Sequence, residues 1–466
     1  MNPRTPARPD LEFRPYPAGA FDLAGLPPQS KLFAWRLIKL SDMAEFEPRR
    51  AFEHVDKLAY EIGPRLAGSR GDQLAADYIT KQLNSYGLKA YVQEFTFVGR
   101  VMRRKASAVL LIAALLACFL LPPPFPIAAW AAALAIWISL DKILPKRKSR
   151  NIIATLTSKK PEKEVAVTAH FDSAPCIPSY RLHLFLRFSF LPVLAVVTLS
   201  VALLSLGLGN LWILVAIAAV SIPIFAALFI SARSKQVSPG ADDNASGVAV
   251  MLELARVLVA EHLPDRTVTF IAFSAEEQGL VGARRLVSAK LLAPGTRVLN
   301  LDGVGVGAQP YIVKGNGLLR RTQTPAAMNQ ALAASVTKAG LEPKLWWAAL
   351  SGHDHLPLVK NGIEATTLTF DVPDPDKLGQ RISKIFKLPD ARTRGYKYIH
   401  DPRDTPDRLE MKTIELAGKI ALDFVKTVFG ADAKSGTSEG QAKGSASPSK
   451  TSEEHPSDLH PEQLQE

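Results

Sequence analysis

The chain has little cysteine: Cys118 and Cys176 are the only two in 466 residues. Cys118 lies inside an apolar run, so a bond to Cys176 is not expected. The fold is therefore no disulfide scaffold and needs no oxidising compartment. The lack of a cysteine cluster also excludes a structural zinc finger. Basic residues are not gathered along one helix or face, as a nucleic-acid binder would require. The formal net charge of +12 is instead concentrated beside apolar regions, which points to a negative membrane surface. The first residues, MNPRTPARPDLEF, lack an apolar core and a cleavage site, so no signal peptide is expected. There is no internal repeat.

The length suits one large catalytic domain or two ordinary ones. The 47% apolar content is ordinary for a globular protein, but it averages two unlike kinds of segment. Ala106–Leu121 and Ile127–Leu140 are uncharged apolar stretches joined by PPPFP. Phe188–Leu208 and Leu211–Ile230 repeat the arrangement around a Gly-Asn turn. The second pair approaches the roughly 20 residues that cross a bilayer, and both pairs read as membrane hairpins. A buried pair of core helices is the alternative.

The rest reads as soluble α/β protein. The runs KAYVQEFTFV, EVAVTAHFD, RTVTFIAFS and TRVLNLD are strand-like, and 31–62, 70–85 and 247–262 have helical apolar spacing. This alternation predicts a mostly parallel mixed sheet with helices on both faces. The expected organisation is an irregular or helical segment at 1–45, one α/β domain in three parts (46–105, 149–180 and 236–430), and a disordered tail at 431–466. Transmembrane hairpins at 106–141 and 188–231 interrupt the domain.

Five short elements carry the chemistry: His170-Phe-Asp172, Gly240-Ala-Asp-Asp-Asn-Ala-Ser-Gly247, Ala275-Glu-Glu277, Asn300-Leu-Asp302 and Ile399-His-Asp-Pro-Arg-Asp-Thr405. Four fall at strand ends or loop-to-helix junctions, where ligands gather in open α/β sheets. Each has an ordinary reading as strand end, helix cap or solvated loop. Together they offer two histidines, three carboxylates and a spare glutamate, an inventory that suits two zinc ions.

In order and spacing these elements resemble the co-catalytic dizinc aminopeptidases, relatives of glutamate carboxypeptidase and glutaminyl cyclase. The resemblance extends upstream to Ile62-Gly-Pro-Arg-Leu-Ala-Gly-Ser69 and covers roughly 50–100, 150–180 and 236–428. It implies two Zn²⁺ per chain, one held by His170 and Asp302, the other by Glu277 and His400, with Asp243 bridging. It implies Glu276 as general base and a cis peptide at Asp243–Asn244. Asp172 is expected to accept the second ring N–H of His170, and Asp404 to support His400 or cap a helix. Relatives often place a tyrosine near the last histidine. Here Ile399 stands beside it, so Tyr398 is the candidate for oxyanion stabilisation. His353-Asp354-His355 stands where the family has Ser-Asp-His and reads as a structural loop.

The implied activity is zinc-dependent removal of N-terminal residues from peptides. The alternatives are a glutaminyl cyclase, a carboxypeptidase or dipeptidase, and a non-catalytic membrane binding module. Peptides and the lipid bilayer are the expected partners, without nucleic acid; oligomeric state is left open. Arg100, Arg103, Arg104, Lys105, Lys142, Lys146, Arg147, Lys148, Arg181, Arg187, Arg233 and Lys235 flank the apolar segments, whose far loops carry no charge. The positive-inside rule then predicts a multi-pass cell-membrane protein with its catalytic domain in the cytoplasm. The second hairpin separates two elements that must meet at the metals, so the cleft is expected to open at the membrane–water interface.

Overall fold

The computed structural model describes residues 45–429, apart from 123, 160–161, 177–179, 209–211, 213–214, 216–217, 220, 224–235, 262, 373–375 and 393–394. The expected tail, the segment at 1–44 and most of Leu211–Ile230 lie outside the described residues.

The strands are β1 (Ala90–Phe97), β2 (Arg147–Leu156), β3 (Lys163–His170), β4 (Arg266–Phe273), β5 (Arg297–Leu301), β6 (Gln309–Asn316), β7 (Thr322–Gln323), β8 (Lys344–Ala348), β9 (Glu364–Asp371) and β10 (Ala391–Arg392). They form one sheet in the order β1-β2-β4-β3-β5-β9-β6-β8-β10, with β7 beside β6. The centre, β4-β3-β5-β9, is parallel. An antiparallel pair, β1 and β2, extends one side. On the other side β6 reverses direction against β9, and β8 and β10 follow β6.

The helices are α1 (Pro48–Val55), α2 (Arg70–Ser85), α3 (Arg100–Leu120), α4 (Phe125–Ile143), α5 (Tyr180–Ser205), α6 (Gly247–Glu261), α7 (Val281–Ser288), α8 (Ala326–Lys338), α9 (His355–Val359), α10 (Lys377–Phe386) and α11 (Met411–Thr427). The sheet is mixed and covered on both faces, as the sequence pattern predicts. Strand side chains alternate between faces. Val165, Val167, Ala169, Val268, Phe270 and Ala272 join the core that includes α1, α2, α6 and α11. Ala166, Ile271 and Phe273 pack with residues of α7 and α9. Covering both faces is why these strands read as near-continuous apolar runs. Each fully buried Val, Ile or Phe contributes about 1.5–3 kcal/mol relative to exposure. Ser69 caps α2 by accepting from Asp72 N, and such a cap contributes about 1 kcal/mol.

β1 and β2 pair as a hairpin, with Phe97 opposite Arg147, and α3 and α4 stand where its turn would be. The sequence reading begins the first apolar arm at Ala106, but the helix starts at Arg100 and runs for 21 residues. Its basic first turn is helical because α3 continues directly from the sheet. By length and composition, α4 is the one helix among the described residues able to cross a membrane. The described residues hold the first apolar pair and one arm of the second. The described arm of the second is α5, which contains Pro192 and is apolar over Pro192–Ser205. Leu111, Trp130, Ala133, Val197 and Val201 pack α3, α4 and α5 together. Trp130 Nε1–H donates to Thr198 Oγ1 at 2.9 Å. Outward, Val109, Ile112, Leu116, Leu120, Ile136 and Ile138 are exposed.

Candidate metal centre

His170 ends β3, Asp302 follows β5, and Glu276 and Glu277 follow β4. These three strands are neighbours and parallel, so their carboxyl ends deliver the side chains to one edge. Asp243 lies in the turn Ala241–Ser246 ahead of α6, and His400 in the loop before α11. The Asp243–Asn244 peptide is cis, as the resemblance implies.

Two glycines allow this turn. Gly240 adopts φ 62°, and a Cβ there would meet Asp243 O at 2.5 Å and Ser173 Cβ at 2.8 Å. A Cβ on Gly247 would meet Asn244 Oδ1 at 2.4 Å and Leu301 O at 2.6 Å. Asn244 fastens the turn to β5: its Nδ2 donates to Leu301 O at 2.8 Å, and its Oδ1 accepts from Gly303 N at 3.2 Å.

The five expected ligands converge in two groups that share Asp243: His170, Asp243 and Asp302, and Asp243, Glu277 and His400. Within each group, one ligand atom from every residue lies within 4.8 Å of the others. His170 Nε2 is 3.2 Å from Asp243 Oδ1 and 3.6 Å from Asp302 Oδ1. His400 Nε2 is 3.1 Å from Asp243 Oδ2 and 2.8 Å from Glu277 Oε1. The two oxygens of Asp243 therefore face different histidines, as a bridging carboxylate must.

Electrostatics follow from this crowding. Burial would raise the Asp243 pKa, but His170 and His400 outweigh it and hold the carboxylate ionised, well below its usual range. Burial likewise opposes ionisation of Asp302, and His353 and His170 overcome it. Burial disfavours the charged forms of His170 and His400, yet the surrounding carboxylates raise both well above the ordinary imidazole value. Glu276 is raised well above the carboxylate range, first by burial and then by Glu277, against the opposing charge of His170. Closely grouped imidazole nitrogens and carboxylate oxygens suit divalent zinc, so the donor set fits two such ions.

The supporting contacts of Asp172 and His353 differ from expectation, and Asp404 follows the second of its two alternatives. His170 Nδ1 meets the backbone carbonyl of Asp172 at 3.1 Å, while the Asp172 carboxylate is 3.7 Å from that nitrogen. The carboxylate instead accepts from Glu276 N at 3.0 Å and Glu277 N at 3.3 Å. It steers the glutamate loop, because two consecutive N–H groups offer a carboxylate more than one ring edge does. Asp404 accepts from Asp242 N at 2.8 Å and Asp243 N at 3.2 Å. It thus acts as a cap on the bridging turn, and burial pushes its pKa up to about 7. His353, read from sequence as part of a structural loop, lies 2.6 Å from Asp302 Oδ2 through Nδ1. Its contact with a ligand was missed; the only signal was its place in the His353-Asp354-His355 element.

Tyr398 packs against other groups: Tyr396 at 5.3 Å between ring centroids, and the guanidinium groups of Arg403 and Arg408, each 4.6 Å from its ring. None of these contacts is with the five ligands. Arg65, in the Ile62–Ser69 element, has a supporting place of its own. Wholly buried, it donates to the carbonyls of Phe171 (2.8 Å), Leu58 (2.9 Å), Gly63 (3.1 Å), Pro239 (2.6 Å) and Gly240 (2.7 Å). It thereby joins the segment after His170 to the turn before Asp243.

Residues 228–425 match the model for peptidase family M28. That span holds Asp243, Glu276, Glu277, Asp302 and His400, whereas His170 and Asp172 precede it. Aminopeptidase YwaD of Bacillus subtilis is 28% identical over 222 residues, 45% of this chain and 42% of that protein. A probable zinc metalloprotease of Pyrenophora tritici-repentis is 50% identical over 74 residues, 15% of this chain and 16% of that one. The chain thus spans less than half the length of either curated relative. A Zn-dependent exopeptidase from Parabacteroides distasonis shares the fold, with TM-score 0.50 and 16% identity over 81% of this chain and 97% of that one. The resemblance to zinc aminopeptidases read from the five elements is met by this M28 match and these relatives.

Proposed function

We propose that the chain is a zinc-dependent exopeptidase of the aminopeptidase type that binds two Zn²⁺. The observation that carries this reading is the pair of ligand groups joined through Asp243, with Glu276 adjoining them on the loop of Glu277. His170 and Asp302 would hold one ion, Glu277 and His400 the other, with Asp243 between them. When bound, such ions polarise the scissile carbonyl and acidify a water. Glu276 would take the proton from the attacking water as the water oxygen bonds to the carbonyl carbon. The same carboxyl then gives the proton to the departing amine nitrogen as the C–N bond breaks. A carboxyl group can make both transfers, as base and then as acid. Asp172 orients the loop through the two backbone N–H groups. Tyr398, two residues before His400, remains the candidate to stabilise the oxyanion.

The reading extends to location: a multi-pass cell-membrane protein, catalytic domain in the cytoplasm. The basic residues at the bases of the apolar segments support it.

Glu276→Gln should retain zinc while turnover on free-amine peptides falls by roughly three orders of magnitude or more. Metal analysis is combined with free-amine, N-blocked and C-blocked peptides and an N-terminal glutaminyl peptide. Near-normal turnover by the variant would remove Glu276 as base. Cleavage of N-blocked but not C-blocked peptides would make the enzyme a carboxypeptidase, and ring closure without hydrolysis would make it a cyclase.

A further inference from the structure

Arg100 is the first residue of α3, and it touches the glutamate loop. Its Nη1–H donates to the Glu277 carbonyl at 2.8 Å, and its backbone N–H donates to Gln278 Oε1 at 2.9 Å. The loop is tightly wound, with Ala275 and Leu280 both at φ 58°. Gly279 N and Leu280 N each donate to Glu276 O at 2.7 Å. From the sheet side, the Asp172 carboxylate takes the N–H groups of Glu276 and Glu277. Arg100 takes the Glu277 carbonyl from the helical hairpin. A carboxyl group thus grips the loop's donors and a guanidinium its acceptor.

The hairpin that supplies Arg100 is closed at its base. Arg103 of α3 pairs with Asp141 of α4, and its guanidinium lies 5.8 Å from the Trp137 ring centroid. Below it, Phe97 and Arg147 pair in the sheet. A displacement of this base therefore carries Arg100 with it.

We propose that Arg100 is a positioning residue that couples the Glu276–Glu277 loop to the α3–α4 hairpin, so that both carboxylates are aimed when the hairpin is seated. This rests on the peptidase reading for its catalytic consequence. It concerns a residue outside the M28 match, which begins at 228.

The test uses the full chain in lipid nanodiscs, as parent, Arg100→Met, Arg100→Lys and Lys142→Met. Three quantities are read: hydrogen exchange at Gly279, Leu280 and Val281, zinc per chain, and kcat and KM on a free-amine peptide. Reactive geometry is sensitive to shifts of about an ångström. Arg100→Met should therefore speed exchange at those amides about tenfold and lower kcat roughly five- to twentyfold, with KM and zinc nearly unchanged. Arg100→Lys, which can still donate to the carbonyl, should recover part of both. Lys142→Met should match the parent. Parental exchange in Arg100→Met overturns the proposal. So does a variant whose sheet amides exchange faster to the same degree, because the role is then structural only. A parent that hydrolyses no peptide while the exchange results hold would sink the peptidase reading and leave the coupling in place.

Discussion

Asp172, Asp242 and Asp404 hold backbone rather than ligand atoms. Asp172 and Asp404 each accept two successive N–H groups, and Asp242 Oδ1 accepts from Gly305 N at 2.8 Å. In a motif such as Gly-Ala-Asp-Asp the two aspartates look alike, yet one bridges the ligand groups and its neighbour ties the turn to the chain beyond β5. A distant single residue makes a different kind of contribution. His54 is buried, with Nδ1 2.6 Å from the Tyr78 hydroxyl and Nε2 3.1 Å from that of Tyr86. Burial lowers its pKa from 6.5 to about 4, with help from Arg50 and Arg256; Glu253 pairs with Arg256 nearby. The native ring is neutral, and the unfolded ring takes a proton below its ordinary value. Between about pH 6.5 and 4 the unfolded chain binds more protons, so stability falls as pH drops, by up to about 3 kcal/mol. The chemical unfolding midpoint should fall between pH 7 and 5 more steeply in the parent than in His54→Gln. Equal slopes would show that His54 is not the group responsible.

At the scale of elements, α6 and the turn before it decide whether the ligand groups can form. Gly247 begins α6 where a Cβ would run into Asn244 and Leu301 O. An added methyl must push α6 away from the end of β5, and with it Asp243 from Asp302. Overpacking of this kind costs about 1–3 kcal/mol. Gly247→Ala should lower the melting midpoint and weaken zinc retention against a chelator at least about tenfold. Retention equal to the parent would show that the turn absorbs the methyl without moving Asp243.

The sequence makes β1, β3, β4, β5, α2 and α6 legible, because each has a clear period or a long apolar run. It leaves β2, β6, β8, β9 and β10 unread. β2 begins with Arg147-Lys148-Ser149-Arg150, and β6 is broken by a register shift between Val313 and Gly315. β10 is two residues long. The five expected ligands are legible because they stand in a known order, three after strands and two in the loops ahead of α6 and α11. The contact of His353 with Asp302 and those of Arg65 with Phe171, Pro239 and Gly240 form only when segments far apart in the chain meet. The His353-Asp354-His355 and Ile62–Ser69 elements mark these residues without showing what they touch.

For the whole molecule, both inserted segments leave the domain beside the ligand groups. α3 begins at Arg100, bonded to the glutamate loop. The stretch leading to α5 is paired with the chain just ahead of Gly240: Ser238 N donates to Ala174 O and Cys176 N to Gln236 O, both at 2.9 Å. If the exposed apolar surface of α3 and α4 lies in lipid, the site sits within a few residues' reach of the headgroups. Peptides with a free N-terminus and apolar residues partition into that layer by burial of their apolar area, which would raise their local concentration near the ligand groups. In sealed vesicles with the basic segment ends on the outside, a membrane-associating peptide added outside should be hydrolysed with a KM roughly tenfold below that of a soluble analogue. In detergent solution the difference should shrink, because the shared surface is lost. The same peptides enclosed inside such vesicles should remain intact. Equal KM for the two outside peptides would place the cleft toward bulk solvent. Hydrolysis only of enclosed peptides would reverse the proposed orientation.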